Sequence, residues 1–152
     1  MEELRMMDLK ISSFKAYDVR GRIPDELNED IVYRIANAMA QFLEAKKIII
    51  GRDIRASSKA LSNAAVQGLM DAGVDVIDIG LCGTEGVYFA TGDLDACGGI
   101  MVTASHNPAD YNGLKLVREN AKPIGAETGL EDIRFLAEQD DRYLSSCKGN
   151  IA

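Results

Sequence analysis

The sequence predicts a three-layer α/β/α domain, with helices on both faces of a mixed, mostly parallel sheet that carries an antiparallel ribbon at one edge. Two short apolar runs closed by glycine point to strands buried on both faces, Ile48-Ile49-Ile50-Gly51 and Val74 to Ile79 followed by Gly80. Between them Leu61, Ala64, Ala65, Leu69 and Ala72 share one helical face, so strand, helix and strand follow one another as in a βαβ unit. A third run, Gly98 to Thr103, opens into a polar loop rich in turn residues, a poor core and a plausible site.

The chain has 152 residues, enough for one domain that buries roughly 68–70% of the surface exposed when unfolded. Its formal charge of −7 opposes broad attraction to nucleic acid or an anionic membrane. Three cysteines, Cys82, Cys97 and Cys147, form no Cys-x-x-Cys pair, and only His106 is available as an imidazole companion for zinc. They read as reduced thiols of a cytoplasmic protein. The N-terminus is charged without an apolar segment, and no apolar run reaches the ~18 residues of a membrane span.

Taken in order, a first strand is expected over 14–17, followed by Asp18-Val19-Arg20-Gly21, either a solvated connector or a loop presenting Arg20 and Arg22 to an anion. Asn28 caps a helix whose stripe is Ile31, Ile35, Ala38, Met39 and Phe42, ending near Lys46 and Lys47. After the strand at 48–50, Arg52-Asp53-Ile54-Arg55 lies where open α/β sheets bind ligands. Arg52 and Arg55 are there either for a phosphate or as a salt-bridged surface turn. Ser57 or Ser58 caps the next helix and Gly73 ends it. The strand at 74–79 and a short helix capped by Thr84 come next; Gly80-x-x-Gly83-x-x-Gly86 is not the dinucleotide fingerprint, and no P-loop pattern occurs. Leu114 to Val117 and Ala121 to Ile124 are expected to pair as a ribbon, and Thr128-x-x-Glu131 to form a capping box for a last helix. Residues 1–140 are thus read as the domain and 141–152 as a loose tail or the start of a linker.

Ser105 is the residue around which this pattern is organised. A serine hydrolase is disfavoured, since Ser105 and His106 are neighbours, no Gly-x-Ser-x-Gly occurs and there is no second histidine. A serine in a loop of glycine, asparagine and histidine, with cationic loops at Arg20, Arg52, Arg55 and Lys115, suits phosphate. A phosphoserine brings about −1.5 to −2 charges and three acceptor oxygens, which His106, Asn107 and Lys115 could meet. Composition and spacing stop at two readings, a phosphate-handling loop or a structural one.

The motifs go further. Tyr17-Asp18-Val19-Arg20-Gly21, Gly51-Arg52-Asp53-Ile54-Arg55, Asp71-Ala72-Gly73-Val74, Gly83-Thr84-Glu85, the loop Thr103-Ala104-Ser105-His106-Asn107-Pro108 and Tyr111 to Val117 stand in order at family-like spacing. Over residues 11–138 the chain resembles the first domain of the α-D-phosphohexomutases, the phosphoglucomutase and phosphomannomutase family, and looks most like bacterial phosphomannomutases.

The resemblance implies an intramolecular phosphotransferase that interconverts hexose 6-phosphate and hexose 1-phosphate. Ser105 would carry the phosphoryl group and a hexose 1,6-bisphosphate would be the intermediate. It further implies Mg2+ on the Ser105 phosphate, Lys115 and Arg20 assisting proton transfer and charge, His106 supporting the loop, and Tyr17, Arg20, Asn107 and Lys115 facing the hexose phosphate. No Asp-Gly-Asp-x-Asp-Arg metal loop or sugar-specificity loop is found, so the chain is expected to act with remaining domains of a longer enzyme. Alone it is expected to be inactive and to expose surfaces that favour self-association. The rival class is a non-catalytic phosphosugar-binding or interaction module.

Overall fold

The computed structural model describes residues 9–139 and 143–152. Along the chain run β1 (Val19–Arg22), α1 (Glu29–Leu43), β2 (Lys47–Arg52), α2 (Ser58–Asp71), β3 (Asp75–Leu81), α3 (Thr84–Asp93), β4 (Gly98–Val102), β5 (Tyr111–Arg118) and α4 (Leu130–Glu138). Five strands form one sheet in the order β1-β5-β4-β2-β3. Strands β4, β2 and β3 are parallel, while β5 runs antiparallel to both β4 and β1 and makes the edge ribbon.

The alternation of side chains along the strands sorts the core into two layers. Ile48, Ile50, Ile100, Val102, Leu114 and Leu116 share the larger apolar cluster with α1, α2 and α4. Ile49 and Met101 point the other way, into a smaller cluster with Val87 of α3 and Ala96. A local signal starts α1, where Asn28 Oδ1 accepts the Ile31 N–H at 3.0 Å and closes the first turn, whereas α2 and α3 begin without the side-chain cap bonds expected of Ser57 or Ser58 and of Thr84. That helix ends on Glu44 with φ 49, short of Lys46 and Lys47.

Further details differ from the sequence expectation. The first strand begins at Val19, and Phe14 makes only an isolated bridge to it, because the Lys15 N–H turns back onto the Asp18 carbonyl. The ribbon after Ser105 has no second local strand. Asn120 and Ala121 take φ 61 and 57 in a short 3-10 turn, and only Val117 and Pro123 bridge. Proline has no N–H to extend a ladder, and β5 finds its edge partner in β1 instead. Thr128 does not cap α4; its hydroxyl accepts the Gly125 N–H at 2.7 Å within the preceding 3-10 turn.

The last described segment is not loose. The Val76 N–H donates to the Asn150 carbonyl at 2.7 Å, Asp78 N–H to Ala152 at 3.0 Å and Ala152 N–H to Val76 at 2.9 Å, so residues 150–152 line the free edge of β3. Asn37, buried on α1, grips Tyr143 through both its amide oxygen and nitrogen, each at 2.8 Å. An edge strand offers unpaired backbone groups. Their satisfaction by main chain leaves no side-chain period to read in the sequence.

Candidate functional site

The strand registers align Val19, Leu114, Val102, Arg52 and Leu81 side by side across the sheet. Beyond that row, at the carboxyl ends of the parallel strands, lie the loop of residues 103–110, the turn of residues 53–57 and the rest of β1 with Arg20. The cationic loops and the serine loop therefore share one rim. Lys115 sits one residue back, opposite Met101 on β4.

Ser105 is exposed at the tip of its loop with φ 56, a left-handed conformation that is uncommon for a residue with a side chain. Such strain persists only where the surroundings over-determine it, and here they do. The Asp53 carboxylate accepts the Thr103 hydroxyl at 2.7 Å, and the Thr103 Oγ1 in turn accepts the Ser105 N–H at 3.0 Å. Asp53 also accepts the Ser58 hydroxyl at 2.6 Å and the Arg55 N–H at 3.0 Å. Asn112, fully buried, donates to Ser57 and Ser58 at 2.8 and 2.9 Å, tying the start of β5 to the start of α2.

Arg55 completes the frame. Its Nη1 donates to the carbonyls of Pro108 at 2.6 Å and Tyr111 at 2.9 Å, and its Nη2 to those of Ser105 at 3.0 Å and Asn107 at 2.6 Å. Its Nε faces Asp53 at 3.5 Å. A guanidinium has five N–H donors in a rigid fork; the four on Nη1 and Nη2 are hydrogen-bonded here, and the fifth, on Nε, lies in the ion pair with Asp53. Of the two readings open for Arg55, phosphate contact or an ion-paired turn, the structure shows the turn, and the group also clamps the backbone of the serine loop. The side chain of Arg52, at the end of β2, makes no hydrogen bond or ion pair among the described residues.

The other expected residues fall around this frame. Thr103 and Ala104 are buried, Asn107 is half-buried, and His106 and Pro108 are exposed. The Asn107 amide donates to the Ala104 carbonyl at 2.9 Å, bracing the turn after Ser105. Arg20 pairs with Gly113 of β5, whose carbonyl accepts the Thr103 N–H at 2.9 Å, so the β1 cation stands one strand from the root of the loop. A cavity of about 410 Å³ is lined by Lys15, Arg20, Glu26, Asn107 and Tyr111, joining the two. Tyr17, 84% exposed, opens instead on a second cavity of about 420 Å³ with Pro123, Gly125 and Thr128.

Sequence reasoning missed the residue that links the cations. Asp18 accepts from Arg20 Nη2 at 3.1 and 3.0 Å on its two oxygens, and from Lys115 Nζ at 3.3 Å. Its side chain is only 8% exposed. Lys15, on the cavity beside Arg20, was missed too, since nothing in its spacing marks it. On the α3 side, burial pushes the Tyr88 phenol up, reinforced by the charges of Asp18 and Glu85. Burial likewise raises the Cys82 thiol, which makes it a poor nucleophile.

Among the described residues no group of three or more His, Cys, Asp or Glu side chains is placed to hold a metal ion. Both oxygens of Asp53, the carboxylate bonded to the serine loop, already accept from Ser58, Arg55 and Thr103. The described residues therefore do not by themselves fit a divalent cation at Ser105. No helix among them is long and apolar enough to cross a membrane.

Residues 12–143 match the family model described as phosphoglucomutase/phosphomannomutase, alpha/beta/alpha domain I. A phosphomannomutase of Klebsiella pneumoniae is 60% identical over 131 residues, covering 86% of this chain and 83% of that protein. A phosphomannomutase of Escherichia coli is likewise 60% identical over 131 residues, but there the match spans only 29% of the relative. One from Vibrio cholerae is 51% identical over 146 residues, covering 93% of this chain and 32% of its own. A solved phosphoglucomutase/phosphomannomutase family protein from Burkholderia thailandensis superposes with TM-score 0.79 at 33% identity, over 95% of this chain and 33% of that one. A solved chain from Thermus thermophilus gives TM-score 0.81 at 28% identity, over 96% and 34%.

Proposed function

This chain belongs to the phosphoglucomutase/phosphomannomutase family as its α/β/α domain I, and from that premise we propose that Ser105 is its phosphoryl carrier. The observation that carries the proposal is the exposed Ser105 hydroxyl on a loop pinned by Asp53 and Arg55, at the rim shared with Arg20 and Lys115. The substrate class is a hexose monophosphate, and the reaction is interconversion of its 6- and 1-phosphates.

In the first half-reaction a sugar hydroxyl oxygen bonds to the phosphorus as the bond from phosphorus to Ser105 Oγ breaks, and the hydroxyl proton ends on Oγ. The hexose 1,6-bisphosphate then returns its other phosphoryl group by the reverse step. Transfer of this kind depends on alignment and on neutralising spread-out negative charge. Arg20 and Lys115 are the cations for that task. His106 and Asn107 flank the phosphate, and Tyr17 lines an approach for the sugar. A Mg2+ ion on the Ser105 phosphate would draw its carboxylates from outside the described residues, and none of these roles runs through it. Because the chain spans about 29% of relatives such as the Escherichia coli protein, the sugar contacts are assigned to the remaining domains of a longer enzyme. The compartment proposed is the cytoplasm.

Incubation with a hexose 1,6-bisphosphate followed by intact-mass analysis tests the assignment. One added phosphate mapping to Ser105, and lost in Ser105→Ala, is expected. A phosphate elsewhere, or a Ser105 left unmodified even when the remaining domains are supplied, favours a non-catalytic sugar-phosphate module. A coupled mutase assay on the same chain should stay below about 1 s⁻¹, under the ordinary enzyme range.

A further inference from the structure

We propose that Asp18 is a positioning residue, the resident counter-anion that holds Arg20 and Lys115 together and competes with the phosphate they bind. The inference rests on the reading of this rim as a phosphate site and adds to it a residue with no chemistry of its own in the transfer.

The geometry argues for it in three steps. Asp18 is nearly enclosed, its side chain 8% exposed, and a buried carboxylate is tolerated only when paired. Its partners come from different strands, Arg20 from β1 and Lys115 from β5, at 3.0 and 3.3 Å. Asp18 itself precedes Val19, the first residue of β1, so one carboxylate at the strand's start fixes two cations whose stems point from neighbouring strands. The partners, however, are not consumed. Arg20 commits only Nη2, and Lys115 spends one of three ammonium donors, leaving the rest free on side chains 39% and 30% exposed.

Two cations around one carboxylate leave a single surplus positive charge, facing an incoming group that carries nearly two negative ones. Asp18 therefore opposes phosphate binding electrostatically while keeping the donors aimed. The contrast with Arg55 is direct, since all four of its Nη donors are taken by backbone carbonyls and its Nε faces Asp53. Asp18's cations instead combine a fixed position with spare N–H groups.

Inorganic phosphate is the probe, titrated into the isotope-labelled chain by NMR. Asp18→Asn keeps the shape and removes the charge. It is expected to tighten phosphate binding roughly threefold to tenfold, the effect of deleting one like charge at a partly solvated site. The gain should vanish in a Lys115→Met background, where half of the cation pair is gone. Weaker or unchanged binding in Asp18→Asn, with the wild type binding, overturns the inference but leaves the phosphate site standing. No binding to the wild type at high phosphate concentration defeats the site reading itself. Should Asp18→Asn fail to fold, the unmodified chain still decides: the Asp18 carboxyl carbon resonance must shift along the same phosphate isotherm as the Arg20 and Lys115 signals, and a resonance that stays still refutes the role.

Discussion

Removal of the Arg55 guanidinium is the perturbation that separates a clamp from a ligand. In Arg55→Ala four backbone carbonyls lose a charged donor, those of Ser105, Asn107, Pro108 and Tyr111. Two of these bonds are solvent-exposed and two are partly buried, so water replaces the first pair at little cost. The partly buried pair are charge-assisted, and with a smaller contribution from the others the loss comes to about 3 kcal/mol. For a chain of this size that lowers Tm by roughly 6–12 °C. Urea unfolding gives the stability, and amide exchange at residues 104–111 gives the location. Arg55→Lys, whose single ammonium cannot span four acceptors, should recover less than half. A loss under about 1 kcal/mol, or exchange in the loop unchanged from wild type, would refute the reasoning that Arg55 holds the loop. If instead stability stayed intact and only phosphate binding fell, the other reading of Arg55, a phosphate ligand, would return.

Two further predictions concern the docked end of the chain. In Gly149→Ala the added Cβ would collide with the carbonyl oxygen and carbon of Val74, both backbone, so the segment must lift from β3. A cost of about 2 kcal/mol is expected, with faster amide exchange at Val76 and Asp78, whose N–H groups bond to Asn150 and Ala152; unchanged protection there sinks the account. At Asp71 burial alone would raise the carboxyl, but hydrogen bonds from Tyr33, Gln67 and Lys148 outweigh it and hold the group below its ordinary value of 3.8. Its folded value is depressed, so its contribution is present above the unfolded value and is lost as pH falls through the folded one. Urea midpoints measured from pH 5 downward should therefore drop more steeply below about pH 4 in the wild type than in Asp71→Asn; equal slopes would remove Asp71 from the acid limb.

The parts of the fold legible in the sequence are those specified by side-chain burial. Ile48 to Ile50, the α1 stripe and the Gly73 stop follow from apolar period and local turn chemistry, and they stand where expected. The parts that were not legible are specified by backbone pairing or by a partner distant in sequence. Residues 150–152 dock through main-chain bonds to β3, and β1 pairs with β5 across some ninety intervening residues, with Val19 opposite Leu114. At the site, the motif Thr103 to Pro108 marked the loop, and its polarity gave its exposed position. Which charges serve the loop and which remain open to a ligand was hidden, because Arg55 reaches carbonyls some fifty positions away and Asp18 meets Lys115 only through the sheet.

That sorting of charges is what makes the rim coherent. A serine held at φ 56 and exposed to solvent needs its backbone fixed from behind, and a carboxylate alone cannot do this, since carbonyls need donors. Arg55 supplies four donors to the loop, and Asp53 turns that guanidinium and the Thr103 hydroxyl toward it. Had Arg20 or Lys115 been used for the frame instead, their donors would have been spent as those of Arg55 are. Fixing both of them on the one Asp18 carboxylate leaves their remaining N–H groups unspent, beside the cavity that Arg20 lines together with Asn107 of the serine loop. Pre-positioned donors that need no rearrangement when charge arrives are the condition for stabilising a transferring phosphoryl group. For the transfer proposed at Ser105, that condition would be supplied by dividing the cations between those bound to backbone carbonyls and those bound to a single carboxylate.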